Sequence, residues 1–158
     1  MAPPSLPYLE SFMHVTTELY IHASSAAVWQ KLSLLDQWPR WNREVLGVRW
    51  TEGKPWADGA RFAVRHRTFF GLTTETTATV RMCVPGSAAV WESQGFGLTV
   101  VNSVNVKDVV GGARLAATHT YHGPLVWLIQ LSAARQQKLL ETAMQALKGY
   151  VEGEPRGR

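Results

Sequence analysis

Four polar side chains fall in step with apolar neighbours at every second position. His66 follows Phe62 and Val64, Asn102 lies between Val100 and Val104, and His119 and Tyr121 continue the row of Leu115 and Ala117. A period of two puts such residues on one face of a strand. They would then be polar groups facing an apolar interior. A histidine can pass a proton near neutral pH, and an amide or a phenol can hold a hydroxyl or carbonyl oxygen. That set suits a cyclisation, dehydration or enolisation, and equally a site that only orients a ligand. The plain alternative for each is a satisfied polar residue in a sheet core.

Other chemistries find less support. His22 and the His119-Thr120-Tyr121-His122 run lack zinc-site spacing, and no glycine-rich phosphate loop follows a strand and opens a helix. The serines lack a nucleophile elbow, and Cys83 reads as a small hydrophobe at a strand end. Glu75 falls on the outward face of its strand, a poor place for catalysis. No metal and no cofactor is expected.

The elements that must position these groups follow from pattern. Val15, Thr17, Leu19 and Ile21 alternate in a first strand from His14. Ser24 or Ser25 can cap a helix with the stripe Val28, Leu32 and Leu35, and Asp36 can cap a second short helix that Pro39 enters in its first turn. Six strand-like segments follow: VLGVRW, GARFAVRHRTFF, TTETTATVRMCV, AAVWESQ, LTVVNSVNVKDVV and GARLAATHTYHG. Short turns with glycine or proline separate them, as antiparallel hairpins require. Pro124 to Val151 predicts one long amphipathic helix with Leu139, Ala143, Leu147 and Tyr150 on its apolar stripe.

The 158 residues fit one domain over 14–152, with a flexible lead-in over 1–13 and a flexible tail over 153–158. The chain is 46% hydrophobic and 18% charged, with seven tryptophans whose large surfaces must be buried against something. The net charge of +4 comes from scattered basic residues, so no nucleic-acid partner is expected. A transient contact with a membrane surface is compatible with it. One unpaired cysteine, no signal-peptide pattern and no long apolar run read as cytoplasmic.

This element order, with YIHASSAAVWQKLSLLDQWPRWNREV, resembles the START-like (SRPBCC) superfamily, and within it the polyketide cyclase/dehydrase and lipid-transport group. The resemblance rests on Ile21-His22-Ala23 ahead of Val28-Trp29, on Trp38-Pro39-Arg40-Trp41-Asn42, on Gly59, and on Gly111-Gly112. It covers roughly Val15 to Val151. It implies an α+β helix-grip fold, a curved seven-stranded antiparallel sheet around a long C-terminal helix with a ligand cavity between them. One such fold hosts many functions, and the resemblance carries no shared catalytic signature.

Strand alternation brings the turns Phe69-Phe70-Gly71-Leu72 and Gly95-Phe96-Gly97-Leu98 to one end of the sheet, with Trp41 and Pro124 to Trp127. Turns facing water are normally polar, so these predict an apolar mouth that Trp38 and Trp41 line or cover; the alternative is that both tryptophans staple the short helices to the sheet. The expected partner is a hydrophobic small molecule, polyketide-, isoprenoid- or lipid-like. Its candidate contacts are Trp38, Trp41, Phe62, Phe69, Thr76, Trp91, Phe96, Asn102, Tyr121 and Trp127. If the protein is instead a cyclase or dehydratase, His66 and His119 transfer the proton, and Asn102 or Tyr121 steadies an enolate oxygen.

Overall fold

The structure, a computed structural model, describes residues 12–67, 71–95 and 97–153. Phe69, Phe96, the lead-in as far as residue 11 and the tail from residue 154 lie outside the described residues. Seven antiparallel strands form one sheet: β1 (Phe12–Ile21), β2 (Val45–Glu52), β3 (Arg61–Arg67), β4 (Thr73–Val84), β5 (Ala88–Gly95), β6 (Leu98–Val109) and β7 (Gly112–His122). Their order is β1-β7-β6-β5-β4-β3-β2, so the consecutive hairpins run from β2 to β7 and β1 closes on β7. The first strand begins at Phe12, two residues earlier than the alternation alone indicates.

Between β1 and β2 stand α1 (Ser25–Ser33), one 3-10 turn (Leu35–Gln37) and α2 (Trp38–Trp41). Ser24 caps α1, its hydroxyl accepting from the Ala27 N–H at 3.2 Å. The α1 stripe falls as predicted, with Val28, Leu32 and Leu35 buried. The last carbonyls of a helix lack partners within it. Here the Trp38 indole donates to Leu32 O at 2.8 Å and the Trp56 indole to Ser33 O at 2.9 Å. Asp36 sits inside the 3-10 turn instead of capping α2, and no side chain caps either element.

The predicted long helix divides into α3 (Val126–Gln130) and α4 (Ala133–Glu152). Ser132 makes the break: its N–H and its hydroxyl both donate to Ile129 O, at 2.9 and 3.0 Å, a local closure that competes with the helical ladder. Leu140, Met144 and Leu147 carry the deepest contact of α4, one residue along from the predicted Leu139 and Ala143, which are half-buried beside them. Gly153, with φ of 71°, ends α4 in the left-handed conformation.

A bulge shifts the β4–β5 register between Val80 and Met82. One extra residue turns the next side chain to the opposite face. Met82, which strict alternation would place on the inward face with Ala78 and Val80, is therefore exposed, and Cys83 packs on the core in its place. At the β6–β7 turn, Gly111 has φ of 81°, and a Cβ on Gly112 would collide with the Ile21 carbonyl. Only glycine allows β7 to start that close to the end of β1.

Candidate functional site

On the four adjacent strands β3 to β6 the inward side chains change from buried to half-buried toward one end. On β3, Phe62 is buried while Val64 and His66 are half-buried; on β4, Val80 and Ala78 give way to Thr76 and Thr74. On β5, Ala89 and Trp91 give way to Ser93, and on β6, Val106, Val104 and Asn102 give way to Val100 and Leu98. On β7 His119 is half-buried between the buried Ala117 and Tyr121, and the paired Met13 and Val15 of β1 are buried, so β1 and β7 close this half on one side. These positions share the inward face by register, so the partly open ones form one continuous concave surface.

At the opposite end the interior is filled by rings. Trp29, Trp38, Trp41, Trp50, Trp56 and Trp91 join Phe62 in a connected cluster, with centroids 5.3 Å apart for Trp50–Phe62, 5.7 Å for Trp38–Trp91 and 6.2 Å for Trp38–Trp41. Trp38 and Trp41 are each 7% exposed, and Phe62 has no accessible surface. The three belong to the packed wall that bounds the concave half. Trp56 was not apparent in the sequence. It holds a φ of 64°, unusual for a bulky residue, and its indole and ring contacts fix it there. Trp41 Nε1 is buried and has no hydrogen-bond partner among the described residues.

Asn102 stands where the packed and open halves meet. It is 8% exposed, opposite Trp91 on β5 and His119 on β7. Its amide nitrogen donates to Val100 O at 3.3 Å, Trp91 O at 3.4 Å and the Ser93 hydroxyl at 3.5 Å. The two backbone carbonyls accept only, which assigns nitrogen to that side. Among the described residues, the amide oxygen has no partner and remains available as an acceptor.

His119 is deeply surrounded, and burial pushes its pKa down to about 4, so it is neutral at pH 7. Yet it keeps accessible surface, as a side chain lining a concavity does. Its ring lies edge-on to Tyr121, with centroids 6.5 Å apart. Tyr121 is buried, its pKa pushed up to about 12 by that burial, and its hydroxyl donates to Gln136 Oε1 on α4 at 3.3 Å. Gln136, which ties the open half to α4, was also not singled out from the sequence.

His66 does not join this group. The row His119–Asn102–Trp91–Val80 reaches β3 at Ala60, six residues from His66. On the sheet surface that is four strands across and six residues along, about 19 Å and about 20 Å respectively. His66 instead pairs with Thr74 and Val45 near the β2 edge. Thr76 is half-buried on the concave face, whereas Trp127 is 55% exposed and faces outward. A separate surface depression of about 290 Å³, lined by Glu18, Leu19, Tyr20, Val109 and Arg114, holds none of the candidate residues. Among the described residues no group of three or more His, Cys, Asp or Glu could hold a metal ion.

A family model described as polyketide cyclase/dehydrase and lipid transport matches residues 13–152. The chain belongs to this family. No curated protein sequence matches it significantly. Among solved structures, this polyketide cyclase/dehydrase-type chain is similar to Ara h 8.0201, with a TM-score of 0.72 at 14% identity, covering 91% of this chain and 100% of that one. The protein TTHA0849 from Thermus thermophilus gives 0.73 at 16% identity over 91% and 100%. The di-domain ARO/CYC protein StfQ of the steffimycin biosynthetic pathway gives 0.74 at 16% identity, over 91% of this chain and 52% of StfQ, so the chain spans about half of that protein. At such identities these likenesses show the fold, a helix-grip sheet with a long C-terminal helix.

Proposed function

We propose that the chain binds a hydrophobic small molecule, polyketide-, isoprenoid- or lipid-like, against the open half of the sheet beneath α3 and the first turns of α4. The observation that carries this reading is the step from buried to half-buried inward residues on four adjacent strands, β3 to β6, beside the half-buried His119 of β7. A sheet that used its whole inner face for packing would show no such step. Val64, Leu98 and Val100 supply apolar wall, and Asn102 and His119 supply polarity at its deep margin. A neutral imidazole offers one donor and one acceptor. With the Asn102 oxygen it suits a hydroxyl or carbonyl group and brings no positive charge to a carboxylate. A cytoplasmic setting agrees with the single unpaired thiol of Cys83.

Native mass spectrometry of the purified chain, with extraction of any retained compound, tests the proposal directly. Displacement of an apolar reporter dye should then be saturable, and Val100→Trp, which fills the open half, should lower dye affinity at least about tenfold. A wild-type chain with no saturable site would end the proposal.

A second reading, a cyclisation or dehydration step, is favoured by the juxtaposition of His119 and Asn102. Neutral His119 could accept a proton beside a ligand carbonyl. Asn102 spends its donors on carbonyls, so it would receive an enol hydroxyl instead of steadying an enolate. His119→Gln should then keep binding within about tenfold while turnover falls about 100-fold or more. Turnover that survives this substitution would leave binding alone.

A further inference from the structure

Trp127 is the tryptophan outside the aromatic cluster. Beside its 55% exposure, Leu128 is 44% and Leu131 81% exposed, whereas Val126 is buried and Ile129 packs on the core. This segment is apolar on the side that folding uses and on the side that it does not. Successive helical residues turn by about 100°, so positions 127, 128 and 131 fall within one stripe. Phe12 and Leu72, 55% and 68% exposed, lie at the same end of the sheet, where β1 and β4 begin. Single exposed apolar residues need no explanation, but several large ones at one end mark a contact surface.

The charges around that end are mostly of one sign. Arg43 lies on the α2–β2 connection, Arg67 ends β3 and Lys138 follows on α4; all are exposed. Glu44, whose carbonyl accepts from the Arg67 N–H at 3.3 Å, is the acidic residue among them. An apolar stripe at an end of the fold whose exposed charges are mostly basic complements a bilayer carrying anionic headgroups. Tryptophan and leucine enter the boundary between headgroups and acyl chains, and the cations meet the phosphates. A second copy of the chain fits less well, since a two-fold contact would bring like charges at this end together.

We propose that this end of the fold docks on an anionic lipid surface through Trp127, Leu128 and Leu131. Docking does not depend on the ligand reading above. Where both hold, the open half of the sheet lies at the membrane, and an apolar compound passes between bilayer and protein without crossing water.

Flotation of the full chain with phosphatidylcholine vesicles, with and without about one-third phosphatidylglycerol, tests this. The chain should float with the anionic vesicles at low salt and lose most of that binding at high salt. Leu128→Ser with Leu131→Ser should lower vesicle binding about tenfold or more, since two leucine side chains no longer enter the bilayer. Arg43→Ser with Arg67→Ser should remove the preference for anionic vesicles. Unchanged thermal melting of both double variants establishes that the fold is intact. Equal flotation of wild type and the leucine variant, or no binding to anionic vesicles, would overturn the proposal. So would a wild-type dimer in light scattering that the leucine variant dissolves, which would assign the stripe to self-association. Saturable dye binding in the leucine variant separates a failure of docking from a failure of the ligand reading.

Discussion

At one end of the sheet Phe62, Val80, Ala89 and Leu115 are closed under rings and helices; at the other, Val64, Thr76, Ser93 and His119 keep part of their surface open. The polar contacts follow the same division. At the packed end Asp108 accepts from the Ser25 N–H at 2.8 Å, and Glu152 accepts from the His22 N–H at 2.8 Å while paired to Lys148 at 3.1 Å. Lys148 also donates to Tyr20 O at 2.6 Å. Those backbone bonds hold the Asp108 and Glu152 carboxyls below their usual range. At the open end the bond from Tyr121 to Gln136 and one from Gln137 to Thr16 O at 2.7 Å join the sheet to α4. Stability and binding surface are therefore drawn from different stretches of the same strands.

Paired truncations sharpen this division. Phe62→Ala should cost about 3–5 kcal/mol in urea denaturation, because the ring is enclosed on all sides. Val100→Ala, at a half-buried position, should cost about 1 kcal/mol or less. Equal costs would mean that the open half is packed as tightly as the cluster.

Acid should act through the open half. His119 titrates near pH 6.5 in the unfolded chain and at about 4 when folded, so between these values the unfolded chain binds more protons. Its contribution is intact above about pH 6.5 and is lost as pH falls towards 4, by about 2–3 kcal/mol. Urea melts at pH 7 and pH 4 should show that loss in wild type and a smaller one in His119→Gln.

The two neighbouring tryptophans offer a finer comparison. Trp38→Phe removes the donor to Leu32 O and leaves a buried carbonyl unpaired, whereas Trp41→Phe removes a donor that has no partner among the described residues. The first should be the costlier by about 1–2 kcal/mol in the same denaturation assay. The smallest effect belongs to the outer face, where the exposed side chains of Arg49 and Glu75 pair at 2.8 Å. Glu75→Ala should leave the thermal midpoint unchanged within error.

Much of this arrangement is legible in local pattern. Val28, Leu32 and Leu35 repeat at helical spacing, and Val15 to Ile21 alternate, because one-sided burial imposes those periods. The bulge at Val80–Met82 has no glycine or proline to announce it. The break at Ser132 depends on a hydroxyl bond that a serine makes only when the next turn allows it. The candidate site was half legible for a related reason. Alternation finds the inward face, and His66, Asn102 and His119 all lie on it, but their spacing is the sum of four strand registers that no single segment encodes. Trp127 illustrates the converse, an apolar residue on an apolar segment whose outward direction follows from where α3 meets β1 and β7.

The ring cluster also gives the molecule an optical character. Indoles packed this closely exchange excitation before they emit, and their coupled transitions should contribute to circular dichroism as well as fluorescence. A compound settling beside Trp91 would quench them together. Trp127, on its own and in water, would keep emitting at longer wavelength, an internal standard against which occupancy of the interior can be read.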